Sequence, residues 1–409
     1  MALYLLELAV DFYIFCDARY YTKRKNKQFL PLSEHPLSPV WITVYIAAAC
    51  LILLTVTILL PRRGEGSISH IVWLLYIFVS IFAAKLFYII GSAIGRIPQI
   101  FRRKRLDTGI YVGLTLAVLA LFTMTWGATV GRRHIHVNEV TVESPRLPAA
   151  FSGYRIVQIS DLHVDTWGSD PGFINKLVAE VNALHPDLIV FTGDIVSRST
   201  PEIYPFVGAL SKLNAPDGVF SVLGNHDYGD YKDWPSGEAH KLNNLDLIDI
   251  EENRLGWRML NNEHVLLSRD NDTIALIGVE NWGEPPFKQY GKLTESYPSD
   301  NQGRIHDGRY KILLSHNPMH WHEEVRKTSD IDLTLSGHTH AMQMQFSLGG
   351  FRWSPSQYRY PEWSGLYRSP NPFGGESLLY VNIGAGEVAM PARLGTAFPE
   401  ITLFTLQKK

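Results

Sequence analysis

Cysteine is almost absent from this chain of 409 residues: only Cys16 and Cys50 occur, both inside apolar runs. No disulfide framework can organise what lies downstream. An excess of one charge is also missing, since 38 Lys and Arg stand against 40 Asp and Glu. Nothing of that kind would hold a polyanion, so no nucleic acid partner is expected. Charge as a whole is sparse, 19% of the residues against about 25% in an average soluble protein. Low-complexity linkers and internal repeats are lacking as well. What is abundant is hydrophobic residues, 46% of the chain, and they are unevenly spread.

The first third reads as membrane. Val40 to Leu60 runs without a charge and is long enough to cross about 30 Å of hydrocarbon at about 1.5 Å per residue. Ile71 to Ile94 is apolar except for Lys85, and Gly109 to Val130 carries no charge. With a shorter segment near 2–16, this predicts about four transmembrane helices, near 2–16, 40–60, 71–94 and 109–130. Glu7 and Asp11 lie four residues apart on one face of the first and are expected to pack against Lys85, because carboxylates facing lipid are costly. A secretory signal peptide does not fit that segment, which lacks a basic start and a small-residue cleavage site. Basic residues gather after the first helix (Arg19, Lys23, Arg24, Lys25, Lys27) and after the third (Arg96, Arg102 to Arg105). Positive loops stay in the cytoplasm, so the rest of the chain is expected outside it.

From 132 to 409 the composition is that of one globular domain. Tyr154 to Ser160 alternates like a strand, Phe173, Leu177, Val181 and Leu184 recur at helical spacing, and Leu188 to Phe191 is a short apolar strand. Pro201 to Leu213 reads as a helix and Val219 to Leu223 as a strand, completing a βαβαβ series with a largely parallel sheet. Further strands are expected at Thr273 to Gly278, Lys311 to Leu314, Leu333 to Leu335, Leu378 to Ile383 and Ile401 to Leu406.

Polar groups follow five of these strands: Asp161 and His163, Asp194, Asn225 with His226 and Asp227, His316, then His338 and His340. Each cluster alone reads as a turn or a cap. Together, at the carboxyl ends of strands where such sheets build sites, they read as one site. A ligand set of oxygen and imidazole nitrogen without thiolate suits Mn, Fe or Zn. Seven ligands are too many for one ion, and Asp194 can bridge two.

These blocks resemble the calcineurin-like metallophosphoesterase superfamily, whose pattern D-x-H, G-D, G-N-H-D or G-N-H-E, H and G-H-x-H is met at every block. The resemblance covers about Tyr154 to Leu406. The turns Leu314 to Pro318 and Leu335 to His340, with Pro399 to Thr402, look most like its bacterial membrane-linked branch, called YkuE-like or YaeI-like. It implies an α/β fold, a four-layer αββα sandwich with a dinuclear site at one edge. It puts Asp161, His163 and His340 on one divalent metal and Asn225, His316 and His338 on another, with Asp194 bridging. His226 is implied as the group facing the phosphate, stabilising the transition state or protonating the leaving oxygen, oriented by Asp227. The sequence departs from the branch at Ala341-Met342-Gln343-Met344, where Gly-Gly-Gln is common, and it has no acidic residue soon after Asp194.

Between Phe346 and Tyr367 lies an aromatic stretch, readable as a long β-hairpin packed on the sheet or as a rim for lipid headgroups. Arg352, Arg359 and Arg393 are candidate substrate contacts, the last read slightly better as a salt-bridge partner, and His320 and His322 read as surface residues. The expectation is a metal-dependent phosphohydrolase integral to a bacterial inner membrane, cutting a phosphate ester or pyrophosphate on a membrane lipid or lipid-linked precursor. The alternatives are a phosphodiesterase for soluble nucleotide-type substrates, a non-catalytic lipid-binding module, which an absent ligand would mark, and a transporter, for which the spans offer too few polar residues.

Overall fold

A computed structural model describes residues 2–26, 54, 69–101, 104–285, 287–298 and 307–409. The chain divides into two compact units, Met1–Ala128 and Thr129–Lys409. The first contains α1 (Ala2–Asn26), α2 (Ser69–Ile100) and α3 (Thr108–Thr129). Two stretches, Ile71–Ile100 and Thr108–Arg133, are long and apolar enough to cross a membrane. The expected span at 40–60 lies, Leu54 aside, outside the described residues. The expected span near 2–16 is part of a longer helix, so Lys23 to Lys25 fall within α1 rather than in a loop.

Small residues set the packing of α2 on α3. Gly91 and Gly95 sit four apart on α2, and Gly109 and Gly113 on α3. A Cβ at Gly91 or Gly95 would fall on the backbone of Gly113 or Gly109, a close approach of the small-xxx-small kind seen between membrane helices. Polar side chains are paired inside this unit: Lys85 with Glu7 and Asp11, and Asp17 with Arg96 and Arg105, joined by Tyr88 and Ser92. Arg96 and Arg105 therefore neutralise a buried carboxylate, which corrects their reading as plain loop charges.

The second unit is α/β with mixed sheets. One six-stranded sheet has the order β1-β15-β2-β3-β4-β5 and the other β12-β13-β9-β8-β7-β6. The strands of the first are β1 (His136–Ser144), β2 (Arg155–Ile159), β3 (Leu188–Phe191), β4 (Val219–Ser221), β5 (Arg258–Met259) and β15 (Glu400–Lys408). Those of the second are β6 (Glu263–Arg269), β7 (Asp272–Gly278), β8 (Lys311–Leu314), β9 (Leu333–Ser336), β12 (Gly365–Pro370) and β13 (Glu376–Val381). A third, small sheet has the order β11-β10-β14, from β10 (Met344–Leu348), β11 (Phe351–Trp353) and β14 (Leu394–Gly395).

The central strands are apolar at successive positions because both faces are covered. Ile156, Leu188 and Val190 of the first sheet meet Leu276, Ile312, Leu314 and Leu335 of the second in one core. The opposite face of the first sheet buries Ile189 and Phe191 against Phe173, Leu177 and Val181 of α4 (Gly172–Ala183) and Leu247 of α5 (Gly237–Asp249). The opposite face of the second packs Ile277, Leu313 and Val381 on Trp321, Val325 and Ile331. β2, β3 and β4 are parallel neighbours, as are β7, β8 and β9. Their carboxyl ends therefore reach one edge.

The helix expected at 201–213 is a 3-10 segment, Thr200–Phe206, followed by one α turn, Val207–Leu210, because Pro205 cannot donate into an α ladder. β1 has no strong alternation and forms by parallel pairing to β15. His320 is not a surface residue: it is buried, bonded to Ser315 Oγ at 2.9 Å and stacked on Trp282.

One buried carboxyl sets a pH dependence. Glu251 accepts from Ser221 Oγ at 2.6 Å, and burial, with Asp227 adding to it, pushes its pKa up to about 8. An unfolded Glu titrates near 4.3, so between those values the folded state holds a proton that the unfolded state has released. Stability then falls as pH rises through that window. Glu251→Gln is expected to match the wild type at pH 4.5 and to exceed it at pH 8.5 by on the order of 3 kcal/mol, read from thermal unfolding at the two pH values.

Candidate metal centre

The site is made by the turns after β2, β3, β4, β8 and β9. Backbone bonds lock these turns together: Asp161 N–H to Gly193 O at 2.9 Å, His163 N–H to Asp194 O at 3.2 Å and Gly337 N–H to His316 O at 2.9 Å. Between the sheets, Gln158 Nε2 donates to Thr192 Oγ1 and to Ser336 O. Glycine is needed where turn meets carboxylate. A Cβ at Gly224 would strike Asp194 Oδ1, and one at Gly337 would strike Asp161 Oδ2. Asp161, His163, Asp194, His338 and His340 all have positive φ. Such strain persists only where the surroundings over-determine it, and it clusters at functional sites.

The side chains converge in three groups. Asp161, His163 and His340 bring their ligand atoms together, as do Asp194, His316 and His338, and a third group of His163, Asp194 and His226 overlaps both. In the first, His163 Nε2 lies 3.1 Å from His340 Nε2, and His340 Nε2 is 3.2 Å from Asp161 Oδ1. In the second, His316 Nε2 lies 3.1 Å from Asp194 Oδ2, 3.1 Å from Asn225 Oδ1 and 3.2 Å from His338 Nδ1. Asp194 Oδ2 is also 3.5 Å from His163 Nε2, so this carboxylate touches both groups. The outer nitrogens are occupied: His316 Nδ1 by Thr192 O at 2.8 Å and His338 Nε2 by the Tyr360 hydroxyl at 2.9 Å. That arrangement aims His316 Nε2 and His338 Nδ1 inward, as partners beyond a metal's own ligands do.

The electrostatics call for positive charge at the centre. Burial favours the neutral form of Asp161 and Asp194, but the surrounding imidazoles, His340 for the first and His316 for the second, outweigh it and hold both well below the usual carboxylate range. Burial lowers His316 too, yet Asp194 and Asp161 bring it up to about 9. Burial and the neighbouring His316 push His338 down to about 3. Two ionised carboxylates among inward-facing imidazoles form a donor set suited to divalent cations.

His226 stands beside this set. Its ring meets His163 edge to face, with centroids 4.8 Å apart, and stacks on Tyr231 at 4.2 Å. Its Nδ1 bonds Ser197 O at 2.7 Å. The expectation that Asp227 orients the His226 ring is corrected: the Asp227 carboxylate accepts the N–H groups of Asp194, Ile195, Val196 and Gly224 instead. It pins the turns carrying Asp194 and Asn225, and burial, with Asp194 close by, pushes its pKa up to about 7. Asp227→Ala strips four N–H groups of their acceptor, at about 1–3 kcal/mol for each one left unsatisfied. The expected result is a lower unfolding temperature together with lost metal, checked by thermal melts and elemental analysis.

The three arginines proposed for substrate are engaged elsewhere. Arg352 donates to Ser364 O and Oγ, and Arg359 pairs with Glu284 at 2.8 Å. Arg393 is buried and donates to the carbonyls of Ile383, Gly384, Gly386 and Ala397. It props the loop behind His340 rather than opening to solvent. A cavity of about 340 Å³ opens on Asp194, His226, His338 and His340, and is walled by Met342, Gln343, Tyr360, Val388 and Met390. Tyr231, Tyr360 and Ser197 escaped the sequence reading as site residues, because hydroxyls and carbonyls that hold a histidine leave no spacing signal.

Paired mixed sheets with acidic and imidazole groups gathered at their shared edge define a metal-dependent phosphoric ester hydrolase. The chain belongs to the calcineurin-like phosphoesterase family, whose profile matches residues 154–342. It is 33% identical over 280 residues to the uncharacterized metallophosphoesterase YkuE of Bacillus subtilis, covering 67% of this chain and 86% of that protein. It is 30% identical over 334 residues to the UDP-2,3-diacylglucosamine pyrophosphatase LpxG of Chlamydia trachomatis, covering 68% of this chain and 92% of that protein. Against the transmembrane protein with metallophosphoesterase domain of Danio rerio it is 27% identical over 299 residues, 71% of this chain and 61% of that protein.

Proposed function

We propose that this protein is a membrane-anchored, dinuclear phosphohydrolase that cleaves a phosphate ester or pyrophosphate on a membrane lipid or lipid-linked precursor. The observation that carries the reading is Asp194, whose Oδ2 faces His316 at 3.1 Å and His163 at 3.5 Å, so one carboxylate serves two histidine groups. Asp161, His163 and His340 would hold one ion and Asn225, His316 and His338 the other, drawn from Mn, Zn or Fe. When bound, the ions supply charge to polarise the phosphoryl group and to acidify the attacking water.

The chain's own residues do the rest. Asp194 fixes the spacing of the two groups and, through Oδ1, accepts the His226 N–H at 2.8 Å. His226 gives a proton from Nε2 to the leaving oxygen, while Ser197 O accepts from its Nδ1 and so holds the ring in place. Thr192 and Tyr360 keep His316 and His338 turned inward.

The lipid part of the reading is supported by the two apolar helices and by the relative named as a pyrophosphatase of UDP-2,3-diacylglucosamine. We place the described helices, with the segment at 40–60, in a bacterial inner membrane and the domain from 132 onward outside the cytoplasm. The test is turnover by the purified protein of a chromogenic monoester, a chromogenic diester and a diacylated sugar-nucleotide pyrophosphate in mixed micelles. Each is assayed after chelation and after return of Mn, Zn or Fe. Metal-restored turnover with preference for the acylated pyrophosphate is expected. No turnover with metals bound would overturn the enzymatic reading, and preference for soluble diesters would overturn the lipid assignment.

A further inference from the structure

The hairpin β10–β11 has its alternation reversed. Side chains of a strand point alternately to its two faces, and a surface hairpin ordinarily turns its apolar face inward. Here the face holding Met344, Phe346 and Leu348 is joined across the ladder by Phe351 and Trp353, through the pairs Phe346↔Trp353 and Leu348↔Phe351. Leu348 is 85% exposed and Phe351 64%. The polar side chains occupy the other face. Gln345 is buried, while Ser347, 3.1 Å from Gln345 Nε2, and Arg352, which donates to Ser364, are exposed. The tip is Gly349-Gly350, both at positive φ with open space around them, the two-residue geometry that suits a tight hairpin.

This apolar face runs on into the metal centre. β10 begins at Met344, directly after the turn His340 to Gln343, and all four residues of that turn have positive φ. Side chains rather than glycines occupy this strained turn. Gln343 stabilises it by bonding Met390 O, Ala392 O and the Val388 N–H. The outcome is a half-exposed Met342 beside Val388, Met390 and Tyr360 at the cavity that opens on His226 and His338. Tyr358, also exposed, has its hydroxyl 3.5 Å from Trp353 Nε1, and Trp and Tyr at the rim of an apolar face are the composition of a membrane interface. The same chain carries two stretches able to cross a membrane, the second ending at Arg133 just before β1.

We propose that the outward face of β10–β11 rests in the hydrocarbon edge of a lipid bilayer, and that Met342 continues that face to the metal centre. A membrane amphiphile then presents its phosphate to the site while its acyl portion stays in lipid. The substrate half of this statement rests on the phosphohydrolase reading above, and the bilayer contact does not.

The test uses the full chain in phosphatidylcholine vesicles containing a minor fraction of phosphatidylglycerol. Leu348→Cys, in a background with Cys16→Ser and Cys50→Ser, is labelled with an environment-sensitive fluorophore. Blue-shifted emission that lipids nitroxide-labelled on the acyl chain quench by at least about twofold is expected. Leu348→Ser with Phe351→Ser should lower kcat/KM about tenfold for a diacylated phosphoester in the vesicles, a change worth about 1.4 kcal/mol, and leave a chromogenic diester unaffected. A label that stays in water, or one that is shielded yet insensitive to the lipid nitroxide because protein covers the hairpin, overturns the proposal. So does an equal loss on both esters. Absence of turnover on either ester by the unsubstituted chain would remove the phosphohydrolase reading alone, leaving the label to decide the bilayer contact.

Discussion

Asp194→Asn is expected to lower kcat by about 10³-fold or more and to lower the bound metal content with it. The carboxylate is fully buried, and its Oδ2 lies within 3.5 Å of imidazole nitrogens from both histidine groups. Burial opposes its charge, but His316 and His226 outweigh that and keep it ionised. The amide keeps the shape and leaves one oxygen to accept the His226 N–H, so the turn survives. What is lost is the single negative charge common to both halves of the site, and the amide turns N–H donors toward imidazole nitrogens. Charge stabilisation by metal ions is worth several kcal/mol, and about 4 kcal/mol corresponds to about 10³ in rate. Elemental analysis and turnover of the same preparation check it. A variant with full metal content and turnover within tenfold of the parent would refute the bridging role.

His226→Ala is expected to cost about 10² to 10⁴ in kcat while metal content and thermal stability stay near those of the parent. The residue is part-buried at the mouth of the cavity, and its side-chain contacts are Ser197 O and the rings of Tyr231 and His163, so its truncation empties little of the core. The size of the loss should follow the leaving group. A nitrophenolate departs without a proton, so the loss should sit near the lower end of the range. An alkoxide needs one, and the loss there should be larger. Turnover of a nitrophenyl and an alkyl phosphate by parent and variant reads this directly. Because His226 also approaches His163 and Asp194 closely enough to join a metal group, a variant that loses metal and falls equally on both esters would make His226 a ligand instead of a proton donor.

The seven proposed ligands were legible because each follows an apolar strand, and parallel pairing of β2, β3, β4 and of β8, β9 carries those strand ends to one edge. Ring orientation was not legible, since it depends on Thr192, Ser197 and Tyr360 holding the far nitrogens of His316, His226 and His338. The same limit hid the role of Asp227: Asn-His-Asp in a row suggests a carboxylate behind its histidine, while in three dimensions that carboxylate faces the N–H groups of two turns. Arg393 misled for a related reason. Sequence tells that an arginine is near, not whether its guanidinium meets solvent or the carbonyls of its own loop. The aromatic stretch split, with Trp363 buried against Ala341 and Ile383, Tyr360 bonded to His338, and Phe346, Phe351 and Tyr358 left outside.

By itself the sequence determined the class of chemistry and the contrast between an apolar first third and an α/β remainder, because residue types and their spacing are local properties. Metal-ligand chemistry needs particular side chains, membrane crossing needs length without charge, and both can be counted along a line. Tertiary structure alone decided which histidine nitrogens face inward, that Asp227 holds the turns instead of the His226 ring, that β1 completes a sheet edge, and that a hairpin beside the site turns its apolar side out. These depend on register and on which partner reaches a given atom first. A one-residue change of register exchanges the two faces of a strand, and no local pattern records which face the rest of the molecule will cover.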